Sequence, residues 1–383
     1  MAATQLTTAR ETRTVDSLDD LLTPAAVVDL DRMSANLDRM AEYARQHHLR
    51  LRPHTKTHKS ARLAAEQMRR GATGLTVAQL NEARVMAEVA DDILLAHPPV
   101  GAPKLERLLS LPQHVRLTVA LDSAAALEPL AAAASAAGRE IGVLVELDLG
   151  MGRVGVGAED AVRLCRMCRT LDGVSWRGIL FYPGHIRQHV SAQDQALERV
   201  AADLKHALDV LAAAGLEPEV VSAGSTPAAF SSHRISGLTE IRPGTYIFND
   251  RITAAIGACG LDDCAYTVLS TVVSTAVAGQ AVIDAGSKAL FREELRGAGS
   301  GGSGFGVLLD RPDIVVKAMS EEHGLLDLSA TAWRPRVGDR IRVVPNHVCV
   351  SVNLHARVWG LRGERIETGW PVSARGWDWS GAT

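Results

Sequence analysis

At 383 residues the chain exceeds the roughly 100–200 residues typical of one domain, which predicts one large domain with a smaller companion. Its 46% hydrophobic and 22% charged residues are those of a globular protein, and a net charge of −3 excludes an electrostatic footprint for nucleic acid or an anionic membrane surface. No apolar stretch approaches the roughly 18 residues that span a bilayer. The first twenty residues, polar and carrying acid and base, read as a short frayed arm instead of a secretory leader. Five scattered cysteines fit a reduced cytosol better than a disulfide framework. Cys165 and Cys168 form a CxxC on one face of a helical pattern, where plain packing accounts for them.

Along the chain, apolar runs at 49–54, 74–78, 92–97, 115–121, 141–147, 176–182, 219–224 and 238–244 read as strands, with helix-like segments between most of them. Strands that are apolar throughout and alternate with helices imply a parallel sheet covered on both faces. Eight such units predict a (β/α)8 TIM barrel. After Ala265 the texture turns to Val- and Thr-rich runs with weak alternation, which predicts an antiparallel β-rich domain, with the N-terminal Ala25–Leu30 run as a candidate extra strand. The expected organisation is an arm and strand over 1–30, the barrel over 31–262 and the C-terminal β-domain over 263–383. The Gly/Ser-dense stretch 297–306 reads as a surface excursion in preference to a lid.

Barrel active sites lie at the C-terminal ends of the strands. There the sequence gathers Lys56 and Lys59 after the first strand, His97 after the third, Gly150-Met-Gly-Arg153 after the fifth, Tyr182 and His185 after the sixth, and Gly224-Ser225-Thr226 after the seventh. Lysine is scarce, with only Lys56, Lys59, Lys104, Lys205, Lys288 and Lys317 among 41 basic residues. A lysine at a strand end suggests an amine that must lose its proton and attack a carbonyl, which arginine cannot do. A solvated loop charge is the competing reading. Gly224, Ser225 and Thr226, with Gly244 and Tyr246 after the eighth strand, offer donors for a phosphate monoester, although Gly-Ser turns are common. A lysine on the first strand opposite a phosphate site on the last two suits pyridoxal 5′-phosphate. On a strand, His347 and Cys349 would face one side and could bind one divalent ion with positions left open for water and substrate. By spacing alone, a buried cysteine beside an ordinary histidine is the favoured reading.

Taken together, Thr23-Pro-Ala-Ala-Val-Val-Asp-Leu, Arg52-Pro-His-Thr-Lys-Thr-His-Lys59, Gly224-Ser-Thr-Pro, Thr239-Glu-Ile-Arg-Pro-Gly-Thr-Tyr246, Asp284-Ala-Gly, Glu322-His-Gly324 and Pro345-Asn-His-Val-Cys349 resemble the D-threonine aldolase/D-serine dehydratase family, fold-type III pyridoxal enzymes related to alanine racemase. The likeness runs from about residue 22 to beyond 350. It implies an alanine racemase-like barrel, a β-domain that includes the first strand, and usually a homodimer. Lys56 then matches the Schiff-base lysine and base at Cα, Arg153 the arginine near the cofactor's phenolic oxygen, and Tyr182 a tyrosine bordering the pyridine ring. Gly224, Ser225, Thr226, Gly244 and Tyr246 fall at the phosphate loops, and His347 and Cys349 match the two metal ligands. His355 is followed by Ala356 where many relatives carry an acid, so the outer shell differs.

The resemblance implies a lyase acting on a β-hydroxy D-amino acid of the D-serine or D-threonine type. The Cys349 thiolate favours zinc over manganese or magnesium and leans towards dehydration and deamination to a 2-oxo acid and ammonia. Retro-aldol cleavage to glycine and an aldehyde is the alternative, and amino-acid racemisation a more distant one. His58, His97 and His185 stand as unranked candidates for a second acid/base.

Overall fold

The structure, a computed structural model, describes residues 15–295 and 304–376. The expected arm over 1–14 and most of the Gly/Ser-rich 297–306 stretch lie outside the described residues. Among those described, no helix is long and apolar enough to cross a membrane.

The first strand, β1 (Ala25–Asp29), feeds straight into the helix Leu30–Gln46, whose N-cap Asp29 accepts hydrogen bonds from the Asp31 and Arg32 N–H groups. Met33, Leu37, Met40 and Ala44 recur at helical spacing and are the face it buries. Eight parallel strands follow: β2 (Arg50–Leu51), β3 (Leu75–Val77), β4 (Asp92–Leu95), β5 (Arg116–Leu121), β6 (Ile141–Glu146), β7 (Val174–Leu180), β8 (Val220–Ala223) and β9 (Glu240–Ile241). Their order is β2-β9-β8-β7-β6-β5-β4-β3. Bonds from Thr73 N to Leu51 O (2.9 Å) and Thr76 N to Pro53 O (2.8 Å) join the first and second strands and close the ring. Seven of the eight expected runs contain one of these strands, and β7 begins two residues before the expected 176–182 run. The first and last are shorter than expected because Pro53 and Pro243 have no N–H to give a ladder.

The remaining strands are β10 (Tyr266–Ser274), β11 (Gln280–Ile283), β12 (Gly306–Leu308), β13 (Arg311–Met319), β14 (Gly324–Asp327), β15 (Arg340–Pro345), β16 (Arg357–Arg362) and β17 (Arg365–Pro371). The ring β10-β11-β14-β13-β12-β15 closes on β10 as a second, antiparallel barrel filled by Val268, Val272, Ile283, Val316, Leu326 and Val343. Strand β1 joins this sheet, antiparallel to β10 and parallel to β16. The chain therefore begins in one layer, winds the large barrel, and returns to complete the layer it left. Cys165 and Cys168 are packed in the barrel's helical coat, where burial pushes both thiols up to about 12, in keeping with a packing role.

Candidate active site

The barrel interior is more highly charged than its apolar strands suggest. Arg52 donates from Nε to Glu240 (2.8 Å) and from Nη1 to Asp92 (2.6 Å). Ser222 Oγ donates to Glu240 (2.7 Å), and Arg242 donates to Ser222 Oγ (2.9 Å) and to the Phe181 carbonyl (2.8 Å). Burial holds the Arg242 guanidinium below its ordinary range and raises the Glu146 carboxyl. None of Arg52, Glu146, Glu240 or Arg242 was singled out from the sequence. The readable signal was Glu240 and Arg242, two residues apart at a strand end and so on one face of it.

After β2 the chain makes a short 3-10 turn over Thr55–Thr57, capped by His54. Thr55 and Thr57 are buried while Lys56 between them is half-buried, its Nζ 5.9 Å from the centroid of the Tyr182 ring. The Arg153 guanidinium lies 5.1 Å from that same centroid. The loops after β2, β6 and β7 thus bring Lys56, Arg153 and Tyr182 together. Lys59, by contrast, is ion-paired at 3.2 Å with the buried Glu82, so of the two neighbouring lysines Lys56 is the one directed at the rim.

On the far side of the mouth, Gly224 directly follows β8 with φ +121°, and a Cβ there would meet the Arg242 backbone nitrogen at 2.9 Å. The Ser225 and Thr226 hydroxyls that follow are buried with no hydrogen-bond partner among the described residues. They sit at the start of the 3-10 helix Thr226–Arg234, where the first N–H groups also lack intrahelical acceptors. Leaving two hydroxyls buried and unbonded is costly unless a ligand completes them. A phosphate monoester has the acceptors they lack, so the cradle fits the far end of pyridoxal phosphate. Gly244 closes the same side, its Cβ position 3.0 Å from Thr57 Oγ1.

Tyr246 is placed differently from the rest of the phosphate group. Its ring is buried in the core and its hydroxyl accepts a hydrogen bond from Gln67 Nε2 (3.1 Å). Gln67 Oε1 is bonded in turn to His58 Nε2 (3.1 Å), and His58 Nδ1 accepts from Ser60 N (3.2 Å). Both nitrogens of His58 are engaged, and burial lowers it to about 4. His97 is exposed, with Nδ1 at the Pro98 carbonyl (3.1 Å). His185 packs on Gly150 in the loop that carries Arg153, and its buried Nδ1 has no partner among the described residues. Of the three candidate histidines, only His185 is held against the loop bearing Arg153.

The expectation that His347 and Cys349 lie on a strand is corrected. His347 ends the extended segment and is the N-cap of the helix Val348–Leu354, with Cys349 in the first turn. Asp250 Oδ2 accepts from Val348 N (3.1 Å), so a buried carboxylate from the barrel's last loop fixes that helix start. The two side chains are still near enough to shift each other's proton affinity. Burial disfavours the His347 cation, but Cys349, Asp250 and Glu293 outweigh it and raise the imidazole to about 10. Burial likewise opposes ionisation of Cys349, yet His347 and Lys56 draw the thiol below its ordinary value. Thr57 Oγ1 lies 3.1 Å and Thr245 Oγ1 3.6 Å from the sulfur. Among the described residues no group of three or more His, Cys, Asp or Glu side chains is arranged to hold a metal. Once a divalent ion displaces the imidazole proton, His347 and Cys349 would be a two-donor set, which suits an ion that keeps open positions.

Residues 28–251 match the family described as alanine racemase, N-terminal domain, and residues 265–361 match a serine dehydratase domain family. Over 354 residues the chain is 38% identical to a D-threo-3-hydroxyaspartate dehydratase from Delftia sp., covering 88% of this chain and 93% of that protein. It is 31% identical over 371 residues to a D-threonine aldolase from an Arthrobacter species, covering 94% of each. The crystal structure of D-threonine aldolase from Filomicrobium marinum superposes with a TM-score of 0.86 at 34% identity, over 95% of this chain and 98% of that one. The chain therefore belongs to the D-threonine aldolase/D-serine dehydratase family of alanine racemase-like, fold-type III enzymes, and is a pyridoxal-phosphate-dependent lyase.

Proposed function

We propose that the chain removes the α-proton and β-hydroxyl of a β-hydroxy D-amino acid as water, and that hydrolysis of the resulting enamine releases a 2-oxo acid and ammonia. The observation that carries this reading is the 3.1 Å contact between Thr57 Oγ1 and Cys349 Sγ, which sets the candidate metal pair one residue along from Lys56.

Pyridoxal phosphate, when bound, supplies the electron sink that makes a Cα proton removable. Ser225 and Thr226 would hold its phosphate, Tyr182 would wall its ring, and Arg153 would stand beside its phenolic edge. Lys56 would hold the aldehyde carbon and then, as a free amine, take the proton at Cα. A divalent ion on His347 and Cys349 would supply a Lewis acid on the β-oxygen side, and the soft sulfur favours zinc over manganese or magnesium. His185 is the remaining side chain suited to move a second proton. We take the assembly to be a homodimer, which light scattering on the purified protein would read directly.

The test is incubation with D-serine, D-threonine and a 3-hydroxy-D-aspartate, with and without chelator. Appearance of 2-oxo acid and ammonia, lost on chelation, is the expected result. Glycine and aldehyde alone would replace dehydration with retro-aldol cleavage, and racemisation that survives chelation would remove the lyase mechanism. Lys56→Ala should lose both turnover and the visible absorbance of bound cofactor.

A further inference from the structure

Nothing about the spacing of the Pro345–Cys349 motif explains its asparagine. Asn346 is 1% exposed and spends its side chain on two backbone carbonyls, donating from Nδ2 to Glu293 O (2.7 Å) and Gly304 O (2.8 Å). Its Oδ1 accepts from Arg251 Nη1 (3.3 Å), which fixes the amide's orientation. One buried side chain thus gathers strand β15, the barrel's last loop and the backbone at residue 293. The consequence is seen next to it, where Glu293 Oε2 lies 2.7 Å from His347 Nδ1. The carboxylate is 18% exposed and the imidazole 37%, so water competes only partly for this contact.

We infer that Glu293 is a positioning residue for the metal centre. This rests on the reading of His347 and Cys349 as metal ligands. By accepting the Nδ1 proton, Glu293 fixes the tautomer in which Nε2 carries the lone pair, and it holds the ring so that Nε2 is the ligating atom. A carboxylate bonded to the outer nitrogen also makes the imidazole a stronger donor, and loss of such a partner typically costs about 10–100-fold in metal affinity. The role suits a site with two protein ligands, because each must be oriented without help from a third. Asn346 acts one step further out, by holding the backbone from which Glu293 reaches.

The experiment is a zinc-affinity measurement by competition with a chromogenic chelator, on the full-length protein loaded with pyridoxal phosphate. Glu293→Ala should bind zinc about 10–100-fold more weakly. Glu293→Gln should recover part of that loss, since its amide oxygen still accepts the Nδ1 proton. Cobalt substitution adds a spectroscopic readout, and the ligand-field bands of Glu293→Ala should shift as the imidazole reorients. The thermal midpoint of the zinc-free protein should stay near wild type for Glu293→Gln, which keeps an acceptor on Nδ1, and fall modestly at most for Glu293→Ala, which removes the imidazole's partner. If His347→Ala loses zinc while Glu293→Ala keeps wild-type affinity and spectrum, the positioning role is overturned and the metal site stands. If His347→Ala itself binds zinc as tightly as wild type, the metal reading falls and takes this one with it. A fall in zinc affinity matched by a lowered zinc-free midpoint, neither restored by Gln, would assign Glu293 a purely structural role and overturn the inference.

Discussion

Thr57 Oγ1 and Cys349 Sγ lie 3.1 Å apart although 292 residues separate them in the chain. One neighbours the reactive amine and the other is a candidate metal ligand, so this contact couples the barrel's first loop to the helix of the second barrel. Hydrogen bonds to charged groups contribute about 1.5–3 kcal/mol. Thr57→Val, which keeps the branched shape and removes the hydroxyl, should therefore lower zinc retention by about tenfold or more while the visible cofactor absorbance persists. Equal zinc content after dialysis would show that the hydroxyl does not support the thiolate.

The two unbonded hydroxyls at Ser225 and Thr226 give a prediction with opposite signs in the two states of the protein. In the cofactor-free chain, Ser225→Ala and Thr226→Val remove buried groups that lack partners, so stability should be unchanged or slightly raised. In the loaded protein each removes a hydrogen bond to a charged phosphate, worth about 1.5–3 kcal/mol, or roughly 10–100-fold in cofactor affinity. Cofactor titration followed by absorbance, beside denaturant curves of the apoprotein, reads both signs. A variant that destabilises the apoprotein and leaves cofactor affinity intact would contradict the cradle.

His58 makes stability depend on acid. Burial lowers it from an ordinary 6.5 to about 4 in the folded protein, so the unfolded chain takes up a proton first as pH falls. The stabilisation from keeping the ring neutral is fully present above about pH 6.5 and is lost as pH falls through about 4. A shift of that size corresponds to roughly 3 kcal/mol. His58→Gln should flatten the wild-type decline in unfolding free energy between pH 7 and pH 4 by about that amount. Parallel curves for the two proteins would exclude the assignment.

Gly224 stands at φ +121° with the Arg242 backbone nitrogen 2.9 Å from where a Cβ would sit. Gly224→Ala must strain the backbone or displace the end of the last strand, at about 1–3 kcal/mol. Because Ser225 and Thr226 follow directly, cofactor affinity should fall together with the denaturation midpoint. A well-folded variant with wild-type cofactor binding would show that the loop tolerates a side chain.

Much of this was legible in the chain because parallel barrel strands are apolar on both sides and announce themselves as short runs between helices. Lys56 was legible for a chemical reason, as a rare lysine at a strand end. The local geometry of the metal pair was not. Val348, Val350 and Val352 favour a strand, and the helix there is set by the Asp250 carboxylate accepting the Val348 N–H from about a hundred residues away. Tyr246 sits in a phosphate-loop motif, but its hydroxyl is claimed by Gln67 on a helix no motif connects to it. Glu293 escaped for the same reason, since its pairing with His347 spans 54 residues and depends on the Asn346 clamp. Local pattern is readable where neighbours in sequence are neighbours in space, and these pairs are not.

Strand β1 is paired on both sides, to β10 and β16, and its last residue caps the helix that leads into the large barrel. No single scission can part the two units cleanly. A fragment beginning after the barrel would lack the strand that bridges β10 and β16, leaving two raw edges free to capture other chains. During synthesis the opening segment must likewise wait, unpaired, until more than two hundred later residues have emerged, and it is then the natural place for a nascent chain to go astray.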